Sequence, residues 1–265
     1  MPGISAGETL ATLALAEPGG HWDVSGVALE ARRASDVWTL HGEKSLVLDG
    51  CAADLVVVAA RESGSRGADG VTLFTLRANA DGLERRPLDA LDPTRKLAKL
   101  SFSGARAEPL GEIGAAAPSI ALTLAQAATA LANEMVGSAQ RLLDMTVEYA
   151  KTRVQFGRPI GSFQAIKHKC ADMLLALELA RSSAYYAAEA ASEKPDELRA
   201  VASLAKAQGS DAFLHIAAEA IQIHGGLGFT WEQDVHLFFK RAKASEVFLG
   251  DPDWHRENLA QAWGL

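Results

Sequence analysis

The feature that most constrains the fold is a change of periodicity near Pro118. Residues 119–151 contain no proline, and their apolar residues recur at the three- and four-residue spacing of a helix. This predicts one helix of about 30 residues, longer than most helices of globular proteins. Further helical runs are predicted over residues 163–191, 195–224, 232–249 and 253–263. Long helices joined by short corners are typical of an up-and-down bundle.

Before Pro118, apolar residues alternate or cluster in short runs that are typical of β-strands. The runs VWTLHGEKSLVLDG, ADLVVVAARE, TLFTLRA and AKLSFSGARAEPL are rich in β-branched or aromatic residues and are bounded by turn residues. The pair Asp69-Gly70 lies between two of these runs and suits a turn that needs positive φ. We therefore predict an α+β fold. Residues 1–114 form a β-rich domain, a small barrel or sandwich, and residues 115–265 form a C-terminal antiparallel helical bundle.

Composition excludes several classes of function. The chain has 265 residues, 48% of them apolar, and a net charge of -7 without long blocks of one sign, so we expect no nucleic-acid partner. Cys51 and Cys170 lack CxxC spacing, and no apolar leader opens the sequence, which favours a reducing cytoplasm with both thiols used in packing. No apolar stretch is long enough to predict a membrane span. The histidines are scattered and predict no metal site.

Two corners between helices hold the residues most suited to binding. The arginine corner, residues 152–161, reads TRVQFGRPIG, and the glycine corner, residues 222–229, reads QIHGGLGF. Arg153 and Arg158 carry guanidinium forks suited to phosphate, and Phe156 offers a face to a ring. The glycines could let backbone approach a ligand or could cap a helix, and the arginines could instead pair with local carboxylates. His224 lies on an apolar face and is expected to pack rather than to catalyse.

Taken together, the motifs indicate a family. The segments YAKTRVQFGRPIGSFQAIKHKCADM, AIQIHGGLGFT and KRAKASEVFLG closely resemble the C-terminal helical domain of the flavin-dependent acyl-CoA dehydrogenases. LALAEPGGHWD and WTLHGEKSLVLDG resemble the β domain that contacts the flavin in that family. The resemblance implies FAD as cofactor, an acyl-CoA substrate, an oligomer of homologous subunits and an electron-transfer flavoprotein as acceptor.

The resemblance also implies which residues bind FAD. In the family the flavin ring lies on the β domain of one subunit, and the helical domain of a neighbour holds the adenine and pyrophosphate. The matching positions of this nucleotide arm are Arg153, Gln155, Phe156, Gln222, Gly225 and Gly226.

Other positions depart from the family pattern. Ala16 and Trp22 replace a threonine and a serine at the flavin edge, and Leu46 and Leu48 replace an aromatic residue and a threonine in the next hairpin. We therefore expect the ring site of this chain to be lost. The family's N-terminal helical domain, which helps to enclose the acyl chain, has no counterpart in the sequence, and we expect it to be missing unless the start is misplaced.

The family reaction needs a carboxylate that removes the α-proton of the thioester. The usual position of this base is Leu249, and the position used by a second branch falls at about Ala127 or Ala128. We therefore assign no catalytic residue. Glu246 and Asp251 are weak candidates, and Glu134 is weaker still.

Three functions follow from this combination. The first is a non-base subunit of a hetero-oligomeric acyl-CoA dehydrogenase, which supplies the nucleotide arm to a partner and acts in lipid or steroid catabolism. The second is a self-sufficient acyl-CoA dehydrogenase with an atypical base. The third is a non-catalytic binding or scaffold protein that keeps the fold.

Overall fold

The computed structural model describes residues 2–265 and divides the chain into two compact units, one ending at Leu122 and the other spanning Thr123–Leu265. The predicted domain boundary after residue 114 lies close to this division and stays a prediction. Within the described residues no helix is long and apolar enough to cross a membrane.

The first unit is built from strands. After a short helix α1 (Pro2–Ser5) come β1 (Ala11–Ala14), β2 (Glu30–Ala34), β3 (Val37–Leu48), β4 (Leu55–Glu62), β5 (Val71–Arg77), β6 (Leu83–Leu88) and β7 (Leu97–Leu110). Strands β4, β2, β3, β7 and β5 pair in that order, and β5 pairs again with β4, so that five strands close into a barrel. Strand β1 joins β4 and β6 joins β7 at the outside of this ring. The predicted β-rich domain of an α+β fold is confirmed.

Alternation of side chains explains the barrel core. Every second residue of β3 up to Leu40 is buried, as are Val58 and Phe74 on neighbouring strands and Leu100 on β7. The Asp69-Gly70 pair lies in the connection between the paired strands β4 and β5, and Gly70 has a φ of 74°. The turn predicted there is confirmed. Strands β1, β2 and β6 were not among the predicted runs, because their four to six residues show too little alternation of apolar side chains.

The second unit is helical. It contains most of α2 (Ala117–Thr152), followed by β8 (Val154–Gln155), β9 (Arg158–Pro159), α3 (Gln164–Glu193), α4 (Leu198–His224), α5 (Val235–Val247) and α6 (Pro252–Ala262). All five predicted helices are present. Helix α4 is buried on most of its circumference and packs against α3, α5 and α6, so it forms the centre of the bundle. Its core includes Phe213 and Ile216, with Leu142, Met173 and Leu177 from the flanking helices.

The two cysteines have different surroundings. Cys170 is half-buried, and this burial raises the pKa of its thiol, which makes it less reactive. Cys51 is exposed, so the expectation that both thiols serve in packing is wrong for Cys51. It lies in the turn that follows β3, where its small side chain faces solvent.

Candidate functional site

The arginine corner is a two-stranded hairpin. Val154–Gln155 pairs with Arg158–Pro159, and the two residues between them, Phe156 and Gly157, have φ values of 54° and 75°. Positive φ at both positions is the geometry of a type I′ hairpin turn. The turn places Phe156 at the tip of the hairpin, where 92% of the residue is exposed. An aromatic ring held out on a short, defined hairpin is available to stack on a ligand or a partner.

The arginines of this corner have no acidic partners in the part of the chain that the structure describes. Among residues 2–265, no carboxylate lies within ion-pair distance of Arg153 or Arg158. The guanidinium of Arg158 lies over the ring of Phe163, 4.0 Å from its centroid. The alternative that local ion pairs explain these arginines is therefore wrong for this structure. Two uncompensated guanidinium groups at one exposed corner favour the binding of an anion.

In the glycine corner, two of the glycines have reasons within the chain. Gly225 ends α4 with a φ of 61°, and its N–H donates to the carbonyls of Gln222 and Ile221, so it is a helix cap. A Cβ at Gly228 would lie 2.9 Å from the carbonyl oxygen of Ile221, so close packing requires glycine there.

At Gly226, neither helix capping nor close packing accounts for the glycine. Its φ lies outside the left-handed region, and a Cβ there would meet no atom within 4 Å. No contact with the described residues 2–265 requires a glycine at this position. The exposed backbone at Gly226 could therefore be approached closely by a group outside the chain.

The ends of α2 and α4 bring the two corners together. The ring of Tyr149 stacks on that of His224 with centroids 4.2 Å apart, and Arg153 N donates to Tyr149 O over 2.8 Å. His224 Nδ1 donates to the carbonyl of Ala220 at 2.8 Å, and burial lowers the pKa of its imidazole. His224 is thus a packing residue, as expected, and it joins the arginine corner to the glycine corner at one end of the bundle.

The turn at the usual base position follows α5. Leu249 has a φ of 63°, an unusual conformation for a branched residue. Asp251 is the N-cap of α6, and its Oδ1 accepts from Trp254 N over 2.8 Å. Glu246 forms an ion pair with Lys243. Both weak candidates for a base therefore already serve the local structure.

The third candidate for the base, Glu134 on α2, forms an ion pair with Arg241 on α5 at 2.9 Å. Ala128 is buried and Ala127 lies beside it on the same helix. Neither can abstract a proton. The second unit therefore has alanine or leucine at both positions where the resemblance expects a base.

In the first unit, the positions expected at a flavin ring have apolar side chains. Ala16 is buried and Trp22 is half-buried. Leu46 lies at a register irregularity of β3 with a φ of 55°. Leu48 is partly exposed, and its carbonyl accepts from Thr12 Oγ1 at 2.6 Å. None of these four side chains carries a hydroxyl group that could form a hydrogen bond with a flavin edge.

Sequence reasoning missed a buried ion pair beside this segment. Glu17 Oε1 accepts from the Nζ of Lys44 at 2.7 Å and from the backbone N–H groups of Ala28 and Leu29, each at 2.9 Å. Lys44 is fully buried, and this burial lowers the pKa of its ammonium to about 8 although Glu17 opposes the shift. No pattern in the sequence signals this pair, because a lysine on a strand and a glutamate in a loop normally face solvent.

The glycines of the second corner give a matched pair of variants. Gly226→Ala should leave the free energy of unfolding within about 0.5 kcal/mol of the wild type, because the new methyl group meets open space. Gly228→Ala should destabilise the chain by about 1–3 kcal/mol, since its methyl group would press on the carbonyl of Ile221. Urea denaturation measures both. If Gly226→Ala proved as destabilising as Gly228→Ala, Gly226 would be a structural glycine.

Comparison with known proteins gives consistent matches along the chain. A family model described as the acyl-CoA dehydrogenase middle domain matches residues 12–104, and one described as the C-terminal domain of acyl-CoA dehydrogenases matches residues 117–264. The acyl-CoA dehydrogenase IpdE2 of Mycobacterium tuberculosis is 40% identical over 255 residues, which cover 95% of this chain and 70% of that relative.

Solved structures agree with this result. Butyryl-CoA dehydrogenase of Megasphaera elsdenii matches with a TM-score of 0.92 and 31% identity over 99% of this chain and 70% of that one. A structure described as an electron transferring flavoprotein of Acidaminococcus fermentans matches with a TM-score of 0.92 and 30% identity, covering 98% of this chain and 70% of that one.

Proposed function

This chain belongs to the acyl-CoA dehydrogenase family, whose members are FAD-dependent flavoproteins, and from that premise we propose that it is a subunit that supplies a nucleotide arm to a homologous partner. The arm consists of Arg153, Gln155 and Phe156 of the arginine corner together with Gln222, Gly225 and Gly226 of the glycine corner. The pair of subunits would carry out α,β-dehydrogenation of an acyl-CoA thioester.

One observation carries the proposal for the arm. Arg153 and Arg158 are exposed and have no carboxylate partner among the described residues, at the same end of the bundle as the open backbone of Gly226. These residues fit the nucleotide half of FAD, since a pyrophosphate would neutralise a guanidinium and would approach main-chain atoms at a glycine. When bound, FAD supplies the acceptor for the hydride that leaves the acyl chain.

The roles of the individual residues follow from their chemistry. Arg153 would hold a pyrophosphate through charge-assisted hydrogen bonds, and Gln155 and Gln222, both exposed, would donate or accept at polar edges of the nucleotide. Phe156 would cover an apolar face and exclude water from it. These residues bind and orient; none of them moves a proton.

The side chains at the expected base position support a subunit that does not itself remove the proton. Leu249 has no acidic group, and Asp251 and Glu246 are engaged as a helix cap and in an ion pair. The partner would then contribute the carboxylate and the surface for the flavin ring. This favours the non-base subunit over a self-sufficient enzyme with an atypical base.

Several finer assignments belong to the same proposal. We infer that the substrate is a bulky CoA thioester, a class that includes the CoA thioesters of steroid side chains. The enzyme would then act in lipid or steroid catabolism. An electron-transfer flavoprotein would reoxidise the complex, and the cytoplasm would be its location. A non-catalytic scaffold is the remaining alternative, and it predicts no flavin in any assembly.

Flavin absorbance tests the proposal. The chain purified alone should be colourless or contain FAD well below one per subunit. Co-expression with a homologous subunit that carries the base should give a yellow complex that an acyl-CoA bleaches. A lone chain with stoichiometric FAD that acyl-CoA bleaches would contradict the subunit role, and a complex that forms without FAD would favour the scaffold.

A further inference from the structure

The turn that contains Leu249 is held by buried polar groups that the sequence did not indicate. Lys206, on the central helix α4, is fully buried. Its Nζ donates to the carbonyls of Glu246 at 3.1 Å and Gly250 at 2.9 Å, and to Ser210 Oγ at 3.0 Å. The ammonium therefore satisfies carbonyl groups on both sides of Leu249, at the C-terminal end of α5 where helix carbonyls lack intrahelical partners.

His255, on α6, holds the carbonyl of Leu249 itself. Its Nε2 lies 3.0 Å from Leu249 O, and its Nδ1 lies 3.2 Å from the hydroxyl of Ser203 on α4. Because a carbonyl can only accept, Nε2 carries the proton, and Nδ1 accepts from Ser203. Burial, together with the nearby charge of Lys206, lowers the pKa of this imidazole to about 4, so the ring is neutral at pH 7.

Three carbonyls of the turn, those of Glu246, Leu249 and Gly250, thus accept from two buried side chains. These hydrogen bonds hold the backbone of Leu249 in a conformation that leucine does not favour by itself, with a φ of 63°. Such a conformation persists only where the surroundings determine it.

We propose that Lys206 and His255 are positioning residues that fix the backbone at residue 249, and so determine where the side chain at that position lies, whatever its type. The functional meaning of the turn rests on the proposed function, in which position 249 corresponds to the base of the partner. The turn keeps the support that a catalytic carboxylate would need, although the side chain is leucine.

Amide hydrogen exchange on the FAD-free full chain tests this inference. Lys206→Met should accelerate exchange at the amides of Phe248, Trp254 and His255 about tenfold or more, with a smaller change in the core of α2. Lys194→Met, which removes a partly exposed lysine of the α3–α4 corner, is the matched control and should leave the turn unchanged. Equal acceleration throughout the bundle, or none at the turn, would overturn the proposal.

A conservative pair of variants separates positioning from simple packing. His255→Gln keeps a side-chain N–H that can reach the carbonyl of Leu249 and should retain the protection of the turn, whereas His255→Leu should lose it. If both variants lost protection equally, the hydrogen bond to Leu249 would have no special role.

A measurement on the unmodified chain keeps the inference testable even if these variants fold poorly. Nitrogen-15 NMR at pH 7 should find His255 neutral with its proton on Nε2, and a charged ring or the Nδ1 tautomer would contradict the assignment. All of these experiments are independent of FAD. Their failure would leave the nucleotide arm intact, and loss of the arm would leave this turn unaffected.

Discussion

Replacing Arg153 by alanine should weaken FAD binding by the assembled complex about 10- to 100-fold, because a charge-assisted hydrogen bond to phosphate contributes about 1.5–3 kcal/mol. The residue is exposed, and its guanidinium contacts no carboxylate among residues 2–265, so the stability of the chain should change little. Titration of the FAD-free complex with FAD, followed by flavin fluorescence, measures the change.

Arg199 provides the matched control. It is an exposed arginine in the first turn of α4, at the opposite end of that helix from the glycine corner. Arg199→Ala removes the same charge from the chain and should leave FAD affinity within about twofold. If the two variants weakened binding alike, net charge would explain the effect; if Arg153→Ala had no effect, the arm would be wrongly assigned.

Replacing Glu17 by alanine should destabilise the first unit by about 3–5 kcal/mol, because it leaves the buried ammonium of Lys44 without its counter-charge. The backbone N–H groups of Ala28 and Leu29 lose their acceptor as well. Chemical denaturation measures the loss. By contrast, Glu30→Ala, which breaks the exposed pair with Arg32, should change stability far less, because solvent screens that pair.

A double variant and a pH series identify the buried charge as the cause. Lys44→Met in the Glu17→Ala background should recover about 2 kcal/mol, since an apolar side chain replaces the unpaired ammonium. The folded-state pKa of Lys44 lies below its unfolded value, so the unfolded chain binds more protons between them and stability rises with pH in that window. Without Glu17, which opposes this shift, the pKa of Lys44 should fall further, so the variant gains more stability than the wild type as pH rises. The loss in Glu17→Ala should therefore shrink from pH 7 to pH 9. A loss that is independent of pH would contradict this explanation.

The helices could be predicted from the sequence because their signals are local. The predicted runs 119–151 and 163–191 correspond to α2 and α3, Ala117–Thr152 and Gln164–Glu193. Proline and glycine at the corners interrupt the apolar periodicity within a few residues of each observed end. The hairpin of β4 and β5 was predicted for the same reason, since the composition of its strands and its glycine turn are both local signals.

Features that depend on distant contacts could not be predicted in this way. Strand β1 forms a parallel pair with β4, which lies more than forty residues further along the chain. The buried Lys44 and Lys206 donate to the carbonyls of Leu15 and Gly250, which lie 29 and 44 residues away in the sequence. Sequence spacing indicates neither hydrogen bond. The left-handed backbone of Leu249 likewise results from its surroundings, because leucine alone would favour another conformation.

The structure of this chain assembled with a base-bearing homologous subunit and FAD would test the central claim most directly. The distance to measure joins the guanidinium of Arg153 to the nearer phosphorus atom of the FAD pyrophosphate. The nucleotide arm predicts ionic contact there, with the flavin ring on the partner subunit. A flavin ring resting on the segment with Ala16, Trp22, Leu46 and Leu48 of this chain, with Arg153 remote from the pyrophosphate, would contradict it.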